Sequence, residues 1–314
     1  MDTRVSVITS CFQGRSYLAG FFENLSQQTA FPEIEVILVH NAPGQEELQI
    51  VAEFGKRYPS QLQHIIVDPV ETIGASWNRA WKAARSSYTV IWNVDDRRPP
   101  YSIEHQVETF ERSPGSVMVY GDYIEVEKYG VEIGRQRITP EFSRKTFSRI
   151  FPISGAFFMW RKEIAALVGY FDEQLKVAAD FDFSLRVALN DFKMQRAKHF
   201  LGYFTNAGEG LSSSGGARLT AIETTMLQLR YAIYDKVRPD YLDEARKYNI
   251  SNIQSFNAWR LIDDYIPGYA QYVKQREYLW KLGRVRNFLR NLFLRLGILG
   301  LIYKFQERFI RREI

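Results

Sequence analysis

The chain has one cysteine, Cys11, among 314 residues, so no intramolecular disulfide can form and a reducing compartment suits it. It also lacks any run of about 18 uncharged apolar residues, so no membrane-spanning helix is expected. Met1-Asp-Thr-Arg4 leads straight into a short apolar run, without the basic segment, apolar stretch and small residues of a secretory signal. A cytoplasmic protein is the expectation. Phosphate-loop chemistry is not expected either: Ser10-Cys-Phe-Gln-Gly-Arg15 is a poor glycine-rich loop, and Gly208-Glu-Gly-Leu-Ser-Ser-Ser-Gly215 lacks the required spacing. No internal repeat is visible.

What the chain does have is apolar residues at 46 % and aromatics at 15 %, enough to exclude a disordered chain and to build a sizeable core. Its length allows one large domain with an extension, or two modest domains. The net charge of +5 hides an asymmetry, because residues 281–314 hold nine Lys or Arg against two Glu. That local balance of +7 leaves −2 for the remainder, so any argument from charge to a partner belongs to the tail.

The stretch Tyr88-Thr-Val-Ile-Trp-Asn-Val-Asp-Asp96 organises the rest. Val90, Ile91 and Trp92 suit a covered strand, and Arg97-Arg98-Pro-Pro100 cannot continue one, which places Asp95 and Asp96 on a strand-to-loop corner. In an open α/β sheet ligands bind at the carboxyl ends of strands, and paired hard oxygens there suit Mg2+ or Mn2+ against a phosphate. A solvated turn uses the same residues. Around this corner, strands at Val5–Ser10, Ile34–His40, His64–Val67 and Ser116–Val126 alternate with helical patterns, which predicts a mostly parallel sheet flanked by helices. Charged, irregular sequence from Glu127 to Arg149 reads as a loop or flap. Ala178-Ala-Asp-Phe-Asp182 opens a helix with Asp180 in its first turn, and after the Gly/Ser-rich connection Leu219, Ile222, Met226, Leu229 and Ile233 make a helical stripe. The reading is an α/β domain over 1–215 and a helical extension over 216–314.

Together, Val5-Ser-Val-Ile8, Glu35-Val-Ile-Leu-Val-His-Asn41, Gly74-Ala-Ser-Trp-Asn-Arg79, Asn93-Val-Asp-Asp96, Ser154-Gly-Ala156, Val168-Gly-Tyr-Phe-Asp172 and Ala179-Asp-Phe-Asp-Phe-Ser-Leu-Arg186 resemble the family 2 glycosyltransferases of the GT-A fold. The resemblance spans roughly residues 4–215 and implies transfer of a sugar from a nucleotide-sugar donor with inversion. It implies that Asp96 and Asp95 hold Mn2+ or Mg2+ at an Asp-rich variant of the DXD motif, with Asp95 also near the ribose, and that Asn41 sits at the base-binding corner. Asp180 becomes the catalytic base. Two departures stand out: His40-Asn41 replaces an often acidic corner, and Asn93 and Ala179 stand where many members have Asp and Glu.

The chemistry has two demands, neutralising the departing diphosphate and taking the proton of the incoming hydroxyl. Arg79 and Arg97 offer bidentate donors for phosphate, although a surface arginine looks the same in sequence. An N-cap is the plainer role for Asp180. Asp182 is placed second, as an orienting partner, and Trp77, Trp81 and Trp92 are expected in the core. In the tail, Leu289, Leu292, Phe293, Leu296, Leu299 and Ile302 share a face with arginines beside it, the pattern of a helix lying on an anionic membrane surface; the apolar density favours lipid over nucleic acid. A glycan or lipid-linked saccharide acceptor, as in surface polysaccharide synthesis, follows by family analogy alone. A silent nucleotide-sugar or glycan-binding module and a nucleotidyltransferase are the rival readings.

Overall fold

The computed structural model describes residues 3–206 and 216–295; the Gly/Ser-rich connection and the tail from 296 lie outside the described residues. β1 (Val5–Cys11), α1 (Arg15–Ser26), β2 (Ile34–Asn41), α2 (Gln45–Arg57), β3 (Leu62–Val67), α3 (Ile73–Ala83) and β4 (Tyr88–Ile91) alternate as the periodicity predicts. β2 buries all eight of its residues, which is why it reads as an unbroken apolar run rather than an alternating one. β1 lies parallel to β2 and β4, and β2 parallel to β3.

The chain then forms α4 (Ser102–Arg112), β5 (Ser116–Val126), β6 (Arg135–Arg137), α5 (Arg144–Phe147), β7 (Met159–Arg161), α6 (Ala165–Val168), α7 (Ala179–Leu189) and β8 (Lys193–Thr205). The eight-stranded sheet runs β3-β2-β1-β4-β7-β5-β6, with β8 parallel to β5. β7 is inserted antiparallel between β4 and β5, which carries the turn at Gly155–Phe157 to the end of β4. Within 127–149, expected to be irregular, β6 pairs with β5 and α5 forms a single turn.

Two apolar layers cover the sheet. One holds Trp77, Trp81, Trp160, Phe181 and Leu185 beneath α3 and α7. The other holds Leu18, Phe21, Val51, Trp92, Ile103 and Phe110 beneath α1, α2 and α4.

Beyond 216 the expectation of an all-helical extension is corrected. α8 (Ala217–Arg230) and α9 (Leu242–Ala245) precede a hairpin, β9 (Asn252–Ser255) and β10 (Ala258–Leu261), and α10 (Tyr269–Arg295) follows. Phe256 and Asn257 both take positive φ, 50° and 63°, as a two-residue hairpin turn of the primed type requires. Nor is α8 a one-sided stripe, since Glu223, Thr225, Gln228 and Arg230 are buried along with Ile222 and Met226. Met226, Leu227, Tyr231, Ile253 and Ile262 belong to the same apolar layer as Trp81 and Trp160, so the change of rhythm near 216 does not interrupt the core. Among the described residues no helix is long and apolar enough to cross a membrane.

Candidate active site

The corner after β4 is fixed by its own backbone and by one buried arginine. Trp92 donates its backbone N–H to Ile8 (3.1 Å) and its indole N–H to the Asp96 carbonyl (3.0 Å), and the Asp96 N–H closes a turn on the Asn93 carbonyl (3.1 Å). Arg98 lies between the Trp92 and Phe157 rings and donates to the carbonyls of Ile91 and Ala156 and to Ser102 and Gln106. One guanidinium thus ties β4, the Gly155–Phe157 turn and α4 together. Burial lowers its pKa to about 9, with the Asp96 charge opposing the shift.

The two aspartates are placed differently. Asp96 is 1 % exposed, and its carboxylate accepts from the Thr205 N–H (2.9 Å) and the Asn93 amide (3.1 Å). Burial, then the neighbouring Asp95 charge, push its pKa well above the usual carboxylate range. Asp95 is half-buried and is met only by its own backbone N–H among the described residues; burial raises its pKa as well. Of the pair, Asp95 has the open oxygens. An open carboxylate held beside a second buried carboxylate, whose charge it repels, is a fit for a hard divalent cation.

Asp180 lies on the wall of a cavity of about 490 Å3 that Asn93, Trp77, Tyr123, Phe151 and Lys236 also line. It is not the N-cap of α7; Ala178 holds that position without a side-chain bond. The Asp180 carboxylate accepts from the Phe181 N–H (2.8 Å). Its other oxygen lies 2.0 Å from where a Cβ on residue 155 would fall, so only glycine there leaves it room. Burial raises the pKa of Asp180 to about 7, against hydrogen bonds from the Phe181, Asp180 and Gly155 backbone and with the charge of Glu223 assisting.

The segment entering α7 is held from a distance: Glu223 of α8 accepts from the N–H groups of Lys176 (2.8 Å), Val177 (2.9 Å) and Ala178 (3.0 Å), the three residues before the helix, and places a negative charge at its N-terminal end. Asp182, the second-ranked residue, is fully buried and structural. Its oxygens accept from Arg186 (2.9 Å), Arg230 (2.8 Å) and the Tyr231 hydroxyl (2.7 Å), and Arg230 also donates to Asp172 (2.8 Å). Burial opposes ionisation of Asp182, but the Arg186 and Arg230 guanidiniums hold it below its ordinary value.

Asn41 and Arg79 fall in one network at the ends of β2 and α3. The Asn41 amide donates to Ser76 (3.0 Å) and Ser10 (3.3 Å) and accepts from the Glu71 N–H (3.0 Å), and Glu71 takes Arg79 through two nitrogens, at 3.1 and 2.7 Å. Arg97 faces Glu132 at 3.8 Å. Trp81 and Trp92 are core residues, as expected, whereas Trp77 is buried and lines the cavity as well. Sequence reasoning missed Arg98, Glu223 and Arg230; a lone acid inside the apolar pattern of α8 was the available signal for Glu223.

Residues 6–168 match the family described as Glycosyl transferase family 2. The chain is 23 % identical over 203 residues to an uncharacterized glycosyltransferase, MJ1057, of Methanocaldococcus jannaschii, covering 63 % of this chain and 69 % of that one. Its fold is similar to S. aureus TarS 1–349 in complex with UDP-GlcNAc, with a TM-score of 0.58 at 19 % identity over 77 % of this chain and 70 % of TarS 1–349. It is also similar to the mannosyltransferase PcManGT from Pyrobaculum calidifontis in complex with GDP-Man and Mn2+, with a TM-score of 0.52 at 13 % identity over 92 % of this chain and 81 % of that one.

Proposed function

Since the chain belongs to glycosyl transferase family 2, we propose that it moves a sugar from a nucleoside-diphosphate donor over the Asn93–Asp96 corner to an acceptor hydroxyl, with inversion. The observation that carries this reading is Asp180: a carboxylate at about pKa 7 on the wall of a cavity that Asn93 also lines. A base near neutrality is the one best matched to taking a hydroxyl proton at physiological pH. Asp180 would accept that proton as the acceptor oxygen attacks the anomeric carbon from the face opposite the leaving diphosphate.

Mn2+ or Mg2+ would be held by Asp95, and when bound would neutralise charge on the departing diphosphate. Asp96 serves this reading chiefly as the buried support that fixes the corner, because it is 1 % exposed and each of its oxygens already accepts one hydrogen bond. Asn41, 1 % exposed and satisfied by Ser76, Ser10 and the Glu71 N–H, would shape the corner behind the base rather than contact it. Arg79 would have to leave Glu71 to reach a phosphate, so we give it the lesser part.

The aromatic faces of Trp77, Tyr123 and Phe151 suit the C–H edges of a sugar ring, which favours a glycan or lipid-linked saccharide acceptor. Membrane contact is favoured by α10, whose Tyr278, Leu282, Val285, Leu289 and Leu292 are all more than a third exposed at helical spacing, beside Lys281 and Arg284. Pelleting of the full chain with anionic but not neutral vesicles, lost on Leu282→Glu with Val285→Glu, is the expected result.

Calorimetric titration of UDP, GDP, CDP and dTDP, each with Mn2+ and with EDTA, tests the donor site. One nucleotide should bind at micromolar affinity with metal, and Asp95→Asn should remove the metal dependence. No binding by any of them to the folded protein would overturn the transferase reading.

A further inference from the structure

Behind the Asn41 corner, on the α1 and α2 side of the sheet, is a second cluster that the transfer chemistry does not use. Cys11 and His40 are register partners on adjacent parallel strands, and both are fully buried. Glu47, in the first turn of α2, is 6 % exposed. The Cys11 sulfur, one His40 nitrogen and one Glu47 oxygen lie within 4.8 Å of one another.

Two of those atoms are buried without a hydrogen bond. His40 Nε2 faces Glu47 Oε1 at 3.7 Å, beyond hydrogen-bond reach, and neither has another partner. The remaining valences are already used: His40 Nδ1 meets His64 Nε2 at 3.2 Å, and Glu47 Oε2 accepts from the Gly44 N–H at 2.8 Å. Orphaned polar atoms at such depth are rare and costly.

We propose that Cys11, His40 and Glu47 bind a borderline-soft divalent cation of the zinc class, which clamps the ends of β1 and β2 to α2. Zinc takes thiolate, imidazole and carboxylate at about 2.0–2.3 Å, which puts tetrahedral ligands roughly 3.3–3.6 Å apart. The span from His40 to Glu47 is close to that and too long for a hydrogen bond. With Nδ1 donating to His64, the Nε2 lone pair is directed to the cation, the arrangement by which outer partners orient a histidine ligand. Cys11 gives up its thiol proton to solvent as the metal–sulfur bond forms. A Cβ on Gly14 would meet the Cys11 sulfur at 2.4 Å, so the loop after β1 is shaped around that atom. The site sits beside Asn41 and is chemically distinct from the all-oxygen corner at Asp95. It stands whether or not the donor reading does.

The test is Co2+ and Zn2+ titration of the full chain after chelator treatment, with Zn2+ affinity read by competition against a chromophoric chelator. One equivalent of Co2+ should give a near-ultraviolet thiolate-to-metal band, absent in Cys11→Ser and unchanged in Asp95→Asn. His64→Ala, at a half-buried position, should weaken Zn2+ by about 10-fold or more while keeping the band. Glu47→Gln, which retains an acceptor for Gly44, should weaken Zn2+ at least as much and gives the answer should Cys11→Ser fail to fold. A wild-type protein without the thiolate band, or Zn2+ affinity equal in wild type, Cys11→Ser and Glu47→Gln, would overturn the proposal.

Discussion

The corner after β4 and the start of α7 each hold two aspartates, and in each pair one carboxylate is closed by side-chain donors as well, while among the described residues the other is met by backbone N–H groups alone. Asp96 is closed by Thr205 and Asn93, and Asp95 beside it is open. Asp182 is closed by two arginines and a tyrosine, while Asp180 faces the cavity with a raised pKa. In the proposed reading the closed member fixes the backbone and the other member serves the chemistry. The pairs differ in how the closed member is neutralised. Asp182 has guanidinium partners and stays ionised, whereas Asp96 has only neutral hydrogen-bond donors and is pushed towards its protonated form.

The sharpest way to break this comparison is to exchange Asp180 and Asp182 separately for Asn. Asp180→Asn should lower kcat by about 10²–10⁴-fold with donor affinity retained. The same change should stabilise the protein at pH 8 by about 0.5–2 kcal/mol in denaturant unfolding, because it removes a carboxylate that the fold disfavours in its charged form. The sign follows from the raised folded pKa. Asp180 loses stability as pH rises from the unfolded range through about 7, so the advantage of Asn should vanish near pH 4. Asp182→Asn should do the reverse, destabilising the protein at neutral pH. Loss of turnover in Asp182→Asn at unchanged stability would dissolve the distinction.

A step smaller in rate but large in stability is Arg230→Met. It leaves Asp172 and Asp182 buried together without their shared cation, and about 3–5 kcal/mol should be lost in the same unfolding measurement. Gly155→Ala works on the other member of the pair. Its methyl would displace the Asp180 carboxylate, and a shift of about 1 Å at a reacting group costs on the order of 10²-fold in kcat. Should Gly155→Ala retain full turnover, the close packing of Gly155 on Asp180 would have no catalytic meaning.

How much of this was legible beforehand follows from range in sequence. The parallel strands, the corner at Asp95 and Asp96 and the helix opening at Asp180 are local patterns of period two or 3.6 with their breakers, and they appear where the residues place them. The ranking of Asp180 over Asp182 agrees with the partners the fold supplies, but those partners, and the different settings of Asp95 and Asp96, were not legible. Asn93 and Arg186 are near in sequence, but a further partner of each comes from afar: Thr205, 109 residues from Asp96, and Arg230, 48 residues from Asp182. Both aspartates are expected as cation ligands, Asp96 first, and the weight moves to Asp95 in the proposal because Asp96 is buried with a hydrogen bond on each oxygen. The β9–β10 hairpin was missed because its turn is Phe256-Asn257, without the Asn-Gly or Asp-Gly signature.

The smallest expected effect joins the two halves of the cavity. Asp180 as base requires the deprotonated form, so kcat/KM should fall about tenfold per pH unit below roughly pH 7. Glu223 of α8 holds the three residues that lead into α7, and its charge is one of the influences that raise the Asp180 pKa. In Glu223→Gln an amide oxygen can still accept from that segment, but the charge is gone. Stability should drop by about 1–2 kcal/mol, the usual cost of weakening hydrogen bonds to a charged group. The acid limb of the rate profile should move to lower pH, since removing a nearby negative charge makes Asp180 easier to ionise. A purely structural Glu223 would lower the whole profile without moving that limb, so its position on the pH axis tells whether α8 tunes the base or only holds the helix that carries it.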